Sequence, residues 1–298
     1  MKLSYQIFII FFVILSLFII KDDIRLIVKN TSIYLNKKID TPTIKSAEKN
    51  ETQLPSKISM PGALRVVDNL LNNNSSKLSK DSIIDLTNKY RKENGNLPSL
   101  KENADLDFSA DKKLKDMFNK QYFEHMSPLN IDVGDLGKEV GYEYIIIGEN
   151  LAMGNFKDDQ SLVDAWMASQ GHRENILNKN YIDIGVAVGM GNFKGKSIWM
   201  AVQHFGTEKN VCPSIDQVLY GIISINQAEI EEMSKNLSLR REMINKNVIY
   251  EGDTYSEQIN KYNLLINPYN ELLKDTKKMI EDYNNQIRAF NLCILKYQ

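Results

Sequence analysis

Three histidines are present in the 298-residue chain, and each sits in a short motif that is not obviously apolar core. His125 lies in "YFEHMSP", His172 directly after Gly171 in "DAWMASQGHRENIL", and His204 in "VQHFG". Glu149 and Asn150 lie in "GENLAMG", read from sequence as a turn between glycines. Imidazoles near neutral pKa serve as metal ligands or as general bases, and a nearby carboxylate completes either kind of site. The alternative for each histidine is a structural hydrogen bond, and for His172 the joining of two short helices. The three histidines and Glu149 all fall between residues 125 and 204, which suggests one shared site.

The flanking segments supply the scaffold. "DSIIDLTNKYRKENG" carries Ile83, Ile84, Leu86 and Tyr90 at helical spacing, with Asp81 as N-cap candidate and Gly95 as stop. "DLDFSADKKLKDMFNKQYF" places Leu106, Ala110, Leu114, Met117 and Phe118 on one helical face. "DDQSLVDAWMAS" is a third helix capped by Asp158 or Asp159, and a short fourth follows Gly171. The period then changes to two: "YIDIGVAVGM" and "SIWMAVQHF" read as strands joined by the hairpin signal "GNFKGK", and "YEYIIIG" as a further strand. Helices first and paired strands last predict an α+β domain, helices layered on an antiparallel sheet. Trp166 and Trp199 read as core aromatics. Arg173 and Asn175 read as serving the helix start, with Arg173 facing solvent or a cleft acid.

The ends of the chain have different characters. Leu3–Ile20, "LSYQIFIIFFVILSLFII", is apolar and long enough for a bilayer core of about 30 Å. No small-residue cleavage pattern follows it, so it reads as an uncleaved transmembrane signal anchor over residues 1–20, with a cleaved signal peptide as the alternative. Residues 21–80 are rich in Asn, Ser, Thr and Lys, with Pro42, Pro55 and Pro61, and read as a stalk with a short helix near "GALRVVDNLL". Lys21, Arg25, Lys29, Lys37 and Lys38 follow the apolar run, which by the positive-inside rule alone would leave the body in the cytoplasm. The formal net charge of −1 gives no sign of a nucleic-acid partner.

Residues 212–298 are heptad-patterned. Leu219, Ile223, Asn226, Ile230, Met233, Leu237, Arg240 and Ile244 step by fours and threes, as do Tyr255, Ile259, Tyr262, Ile266, Tyr269, Leu273, Thr276, Ile280, Tyr283, Ile287, Phe290 and Ile294. With "NVIYEGDT" as a turn, this predicts an antiparallel helical hairpin (a coiled coil), kinked at Pro268 and able to pair with a second chain. The midpoint between Cys212 and Cys293 falls at Gly252 in that turn, so folding the hairpin brings both cysteines to its base. A disulfide there requires an oxidising compartment and would override the charge-based topology; two buried thiols are the alternative.

The order "FEHMSP … GENLAMG … WMASQGHRENIL … YIDIGVAV … WMAVQHFG", over about residues 82–206, resembles the bacterial branch of the CAP superfamily of cysteine-rich secretory, antigen 5 and pathogenesis-related proteins. The resemblance implies a three-layer α-β-α sandwich over residues 81–208, export from the cytoplasm, and a cleft of two histidines and two acids that binds a divalent cation in some members. On this chain it points to His125, Glu149 and His172. Ser169 stands where many eukaryotic members have the fourth acid, and Glu174 is at the wrong motif position to replace it. Asn150, Ser169, Glu174 and His204 are supporting candidates.

Two imidazoles, one carboxylate and water make a plausible zinc set with an open position, able to activate water. No H-E-x-x-H spacing, nucleophile elbow or reactive cysteine accompanies it. In the other reading Glu149 fixes its loop through backbone N–H groups, Asn150 partners that loop, and His172 packs on Trp166 and bonds across the cleft. These observations lead to the expectation of a membrane-anchored, extracytoplasmic binding or scaffold module for an envelope component, lipid or protein. The alternative is a metal-dependent cell-surface hydrolase or peptidase, so enzymatic activity stays open.

Overall fold

The computed structural model describes residues 56–66, 77–248 and 252–297. Two compact units emerge: Asn50–Ser214 with Ile287–Gln298, and a second whose described residues are 215–248 and 252–286. The apolar run Leu3–Ile20 lies outside the described residues; among these, no helix is long and apolar enough to cross a membrane.

The first unit is built on a mixed sheet. β1 (Lys57–Ser59) and β2 (Leu64–Val66) both pair in parallel with β4 (Tyr144–Gly154). β4 runs antiparallel to β6 (Lys196–Glu208), and β6 antiparallel to β5 (Asp183–Phe193), which pairs in parallel with β3 (Lys101–Glu102). The wholly antiparallel sheet expected from sequence is thus limited to its three long strands. β1 and β2 also correct the reading of residues 21–80 as a stalk throughout, and Leu64–Val66 is strand where a short helix was expected. Strands of three residues are too short to show a period, so the sequence carries no signal for them.

Helices cover both faces. α1 (Lys80–Glu93), α4 (Asp159–Ala168) and α5 (Gln170–Ile176) pack on one, burying Ile83, Leu162, Trp166 and Ile176 against Ile146, Ala152, Ala201 and Phe205. α2 (Ala104–Lys120) and α3 (Val133–Glu139) pack on the other, with Ala110, Leu114 and Met117 against Leu151, Met200 and Val202. The strict alternation along β4 and β6 assigns Glu149 and His204 to the α2 face, and Asn150 and Gln203 to the opposite face. This is the three-layer α-β-α arrangement.

Local chemistry explains the boundaries. α1 is capped by Ser79, whose side chain accepts from the Ser82 amide, rather than by Asp81, which occupies the first turn where its charge favours the helix dipole. Gly95, at φ +108°, supports the stop that follows α1. Asp158 caps α4 through a reciprocal pair with Ser161. The β5–β6 hairpin turns on Lys194 and Gly195, both at positive φ, as a two-residue primed turn requires.

In the second unit α6 (Gln217–Asn245) buries Ile223, Ile230, Leu237 and Ile244, one per heptad. α7 (Tyr255–Ile294) buries Tyr262, Tyr269, Leu273, Thr276, Ile280 and Tyr283 along its part of this unit. Asp216 bonds Gln286, Tyr220 packs on Tyr283, and Asn226 donates to Thr276 at 3.1 Å, so the helices run antiparallel. The polar residues Asn226 and Thr276, which interrupt the seam, meet each other. α7 continues unbroken as helix through Pro268.

The end of α7 belongs to the first unit. Cys212 and Cys293 are disulfide-bonded at 2.01 Å, and with Ile294 they cluster against Ile145 on β4. Asn180 donates to the Tyr297 carbonyl at 3.1 Å.

Candidate functional site

Glu149 lies at the centre. Its side chain is fully buried, one carboxylate oxygen 2.6 Å from His125 Nδ1 and the other 2.9 Å from His204 Nε2. The second contact follows from register, because Glu149 and His204 are direct neighbours across β4 and β6. His204 Nδ1 in turn lies 2.7 Å from Ser109 Oγ on α2. Burial alone would raise the pKa of Glu149, but the hydrogen bonds from the two histidines and the charge of Lys113 outweigh it and hold the carboxylate at about 2. Lys113, also buried, donates to the His125 carbonyl, and its own pKa is lowered by burial.

His125 is engaged on both sides. Its Nε2 contacts the Pro61 carbonyl, while Nδ1 faces Glu149. Each ring nitrogen therefore faces an oxygen acceptor.

The opposite face of β4 holds an amide network. Asn150 donates to the His172 carbonyl at 3.1 Å and to Gln203 at 3.3 Å, and Gln203 donates to Thr87 on α1 at 2.8 Å. Asn175 on α5 donates to the Glu149 carbonyl and to the Asn150 side chain. These bonds fasten α5 to β4 and satisfy every amide named, as burial demands. Glu149 and Asn150 are therefore strand residues rather than a turn, and Asn175 serves the sheet rather than only its own helix. Polar residues are tolerated in this fully buried strand because each has a built partner.

His172 is buried on α5, which packs on this second face, and it lies near enough to His125 for that residue's charge to act on it. Its Nδ1 lies 2.8 Å from Ser169 Oγ, and its Nε2 has no hydrogen-bond partner. Ser169 occupies the N-cap of α5 without capping it, its side chain turned to His172 instead. Burial, reinforced by the nearby charge of His125 and partly offset by the Leu151 backbone, lowers the pKa of His172 to about 4. The folded protein thus binds this proton less readily than the unfolded chain, whose histidine titrates near 6.5. Stability should fall as pH drops from 6.5 to 4, by about 3 kcal/mol from this group. His172→Gln, which cannot take up the proton, should flatten that decline in urea titrations across this range; an unchanged slope would show that His172 is not held neutral.

Other candidates separate from the cluster. Glu174 is exposed and accepts from Gln170. Arg173 is exposed, and Trp166 is fully buried core. Sequence reasoning missed Ser109 and Lys113, although both stand on the apolar face of α2 where a polar residue needs a partner. It also missed Gln203, next to His204, and Pro61, for which no local signal existed.

As arranged, these donors do not form a cation cradle. Both oxygens of Glu149 and both nitrogens of His125 are used within the cluster, and among the described residues no group of three or more His, Cys, Asp or Glu is placed to hold a metal ion.

Residues 84–205 match the family model described as CAP, the cysteine-rich secretory protein family. The chain is 42% identical to the uncharacterized protein YkwD of Bacillus subtilis over 39% of its length and 43% of that protein. It is 34% identical to the uncharacterized membrane protein YlbC of the same organism over 37% of its length and 31% of that protein. The chain thus spans less than half of each of these relatives. A solved extracellular protein with an SCP domain from Bacillus anthracis aligns at 29% identity over 43% of this chain and 40% of that one, with a TM-score of 0.37.

Proposed function

We propose, from the premise that residues 84–205 are a bacterial CAP domain, that this chain is a membrane-tethered, extracytoplasmic binding module. Its cleft recognises a ligand of the cell envelope, whether lipid, polymer or protein, and does not turn it over. The observation that carries the reading is the closure of Glu149: a carboxylate held at about 2 between two histidines is a poor general base and offers no free oxygen to water. The Cys212–Cys293 bridge supports an oxidising compartment. Leu3–Ile20 supplies the anchor, in keeping with a relative named as a membrane protein. The exposed stripe Val218, Ile222 and Ile225 on α6 offers a surface for association through the hairpin.

The Ser169–His172 pair favours a second reading, hydrolysis, in which a neutral imidazole accepts the serine proton. A divalent cation would require His125 Nε2 to leave the Pro61 carbonyl.

Compartment and chemistry are tested separately. Protease added to intact wall-stripped cells should degrade the CAP domain, and protection until lysis would overturn the location. Purified full-length chain should leave ester and peptide substrates intact over hours; turnover abolished by Ser169→Ala would replace the binding reading with the hydrolytic one.

A further inference from the structure

The cleft straddles an edge of the sheet. Glu149, bonded to His125, lies on one face of β4, α5 with His172 packs on the other, and the outer edge of β4 is occupied by residues 57–66 of the chain itself. β1 pairs with Ile146–Gly148 and β2 with Ala152–Gly154. Between them Met60–Ala63 passes Glu149–Leu151 with one residue more than its partner, which lifts Pro61 out of the ladder. There Pro61 gives its carbonyl to His125 and packs against Gly171 of α5.

The groove is shaped for a backbone. A Cβ at Gly171 would meet Pro61 at 2.6 Å, and one at Gly154 would meet the Val66 carbonyl at 2.7 Å. Glycine at such positions is what close approach of a second backbone requires. The occupant is less deeply buried than its partner: every residue of β4 is buried, whereas residues 56–66 are exposed or half-buried. Beyond the strand pairing it is held by Arg65, which donates to the Phe123 carbonyl and pairs with Glu124, by Ser56, which donates to the Tyr144 carbonyl, and by Leu64 and Val66 packed on the core. These residues also lie outside the matched domain, 84–205.

The geometry points to residues 57–66 as an intramolecular stand-in for the ligand, which is an extended peptide added as a parallel strand on the edge of β4. This inference rests on the binding reading above and gives it a ligand class. Strand addition supplies affinity through the main chain, and flanking pockets supply selectivity. A central proline with a free carbonyl, followed by a small residue, fits between His125 and Gly171. The tethered segment lowers the apparent affinity for any peptide in trans by the fraction of time it fills the groove.

The test uses a labelled synthetic peptide, SKISMPGALRV, copied from Ser56–Val66, and the full-length chain, with binding read by fluorescence anisotropy. Arg65→Ala loosens the tethered segment without touching the groove, and should tighten peptide binding by up to about tenfold. Adding Gly154→Ala to that variant should abolish binding, and a scrambled peptide should not bind. Hydrogen exchange at Leu64–Val66 should quicken in Arg65→Ala, which shows release independently of any ligand. Equal affinity of wild type and Arg65→Ala, or of native and scrambled peptide, would overturn the proposal, as would binding unaffected by Gly154→Ala. Cleavage of the bound peptide would support the site while overturning the binding-only reading, so the two can fail separately.

Discussion

Replacing Cys212 and Cys293 together by serine should lower the stability of the sheet unit by about 4 kcal/mol. The bridge joins residues separated by 81 positions, and closing a loop of that length removes on the order of 4–5 kcal/mol of denatured-state entropy. The bond also returns the end of α7 to the sheet, where Ile294 and Tyr297 pack beside Ile145 and the core. Its loss therefore frees those contacts as well. Trp166 and Trp199 both lie in the sheet unit, so urea unfolding followed by tryptophan fluorescence reports on it directly. A reducing agent added to the wild type should reproduce the double variant. A midpoint unmoved by either treatment would show that the bridge contributes nothing to this unit and would weaken the compartment argument built on it.

Glu149→Ala should be comparably damaging, at about 3–5 kcal/mol, because it leaves two histidines in a dry interior without their shared acceptor. For a domain of this size that corresponds to a fall of roughly 10 °C or more in Tm. The pH dependence gives a sharper signature. The folded pKa of about 2 lies below the ordinary 4.5, so this carboxylate stabilises the fold above the upper value and loses that contribution as pH falls from 4.5 toward 2. About 3 kcal/mol should disappear across that window in the wild type and not in Glu149→Ala. A variant with wild-type stability at pH 7 would mean that the histidines find other partners and that the closed carboxylate is not what organises the site.

Much of the fold was readable along the chain because it depends on local periodicity. The apolar face of α2 through Leu106, Ala110, Leu114 and Met117, the Lys194–Gly195 hairpin and the seven-residue spacing on α6 all express one element's own geometry. β1, β2 and the composition of the sheet were not readable, since three-residue strands gain their identity only from the strand they join. The same holds for Glu149 and Asn150. Flanked by glycines and polar in type, they look like a turn, and only their partners on β6, α2 and α5 make a buried strand affordable.

The site divides along the same line. Residue types and motif order in the sequence were enough to pick out His125, Glu149, His172 and His204, because histidines are scarce and such motifs are specific. Pairing was settled by register and layering. Opposition of β4 and β6 gives His204 to Glu149, and the layering of α5 on the sheet sets His172 beside Ser169. The placement of Pro61 against His125 joins positions separated by 64 residues. No local pattern encodes a contact of that range; it exists because β4 has an open edge and the preceding chain lies along it.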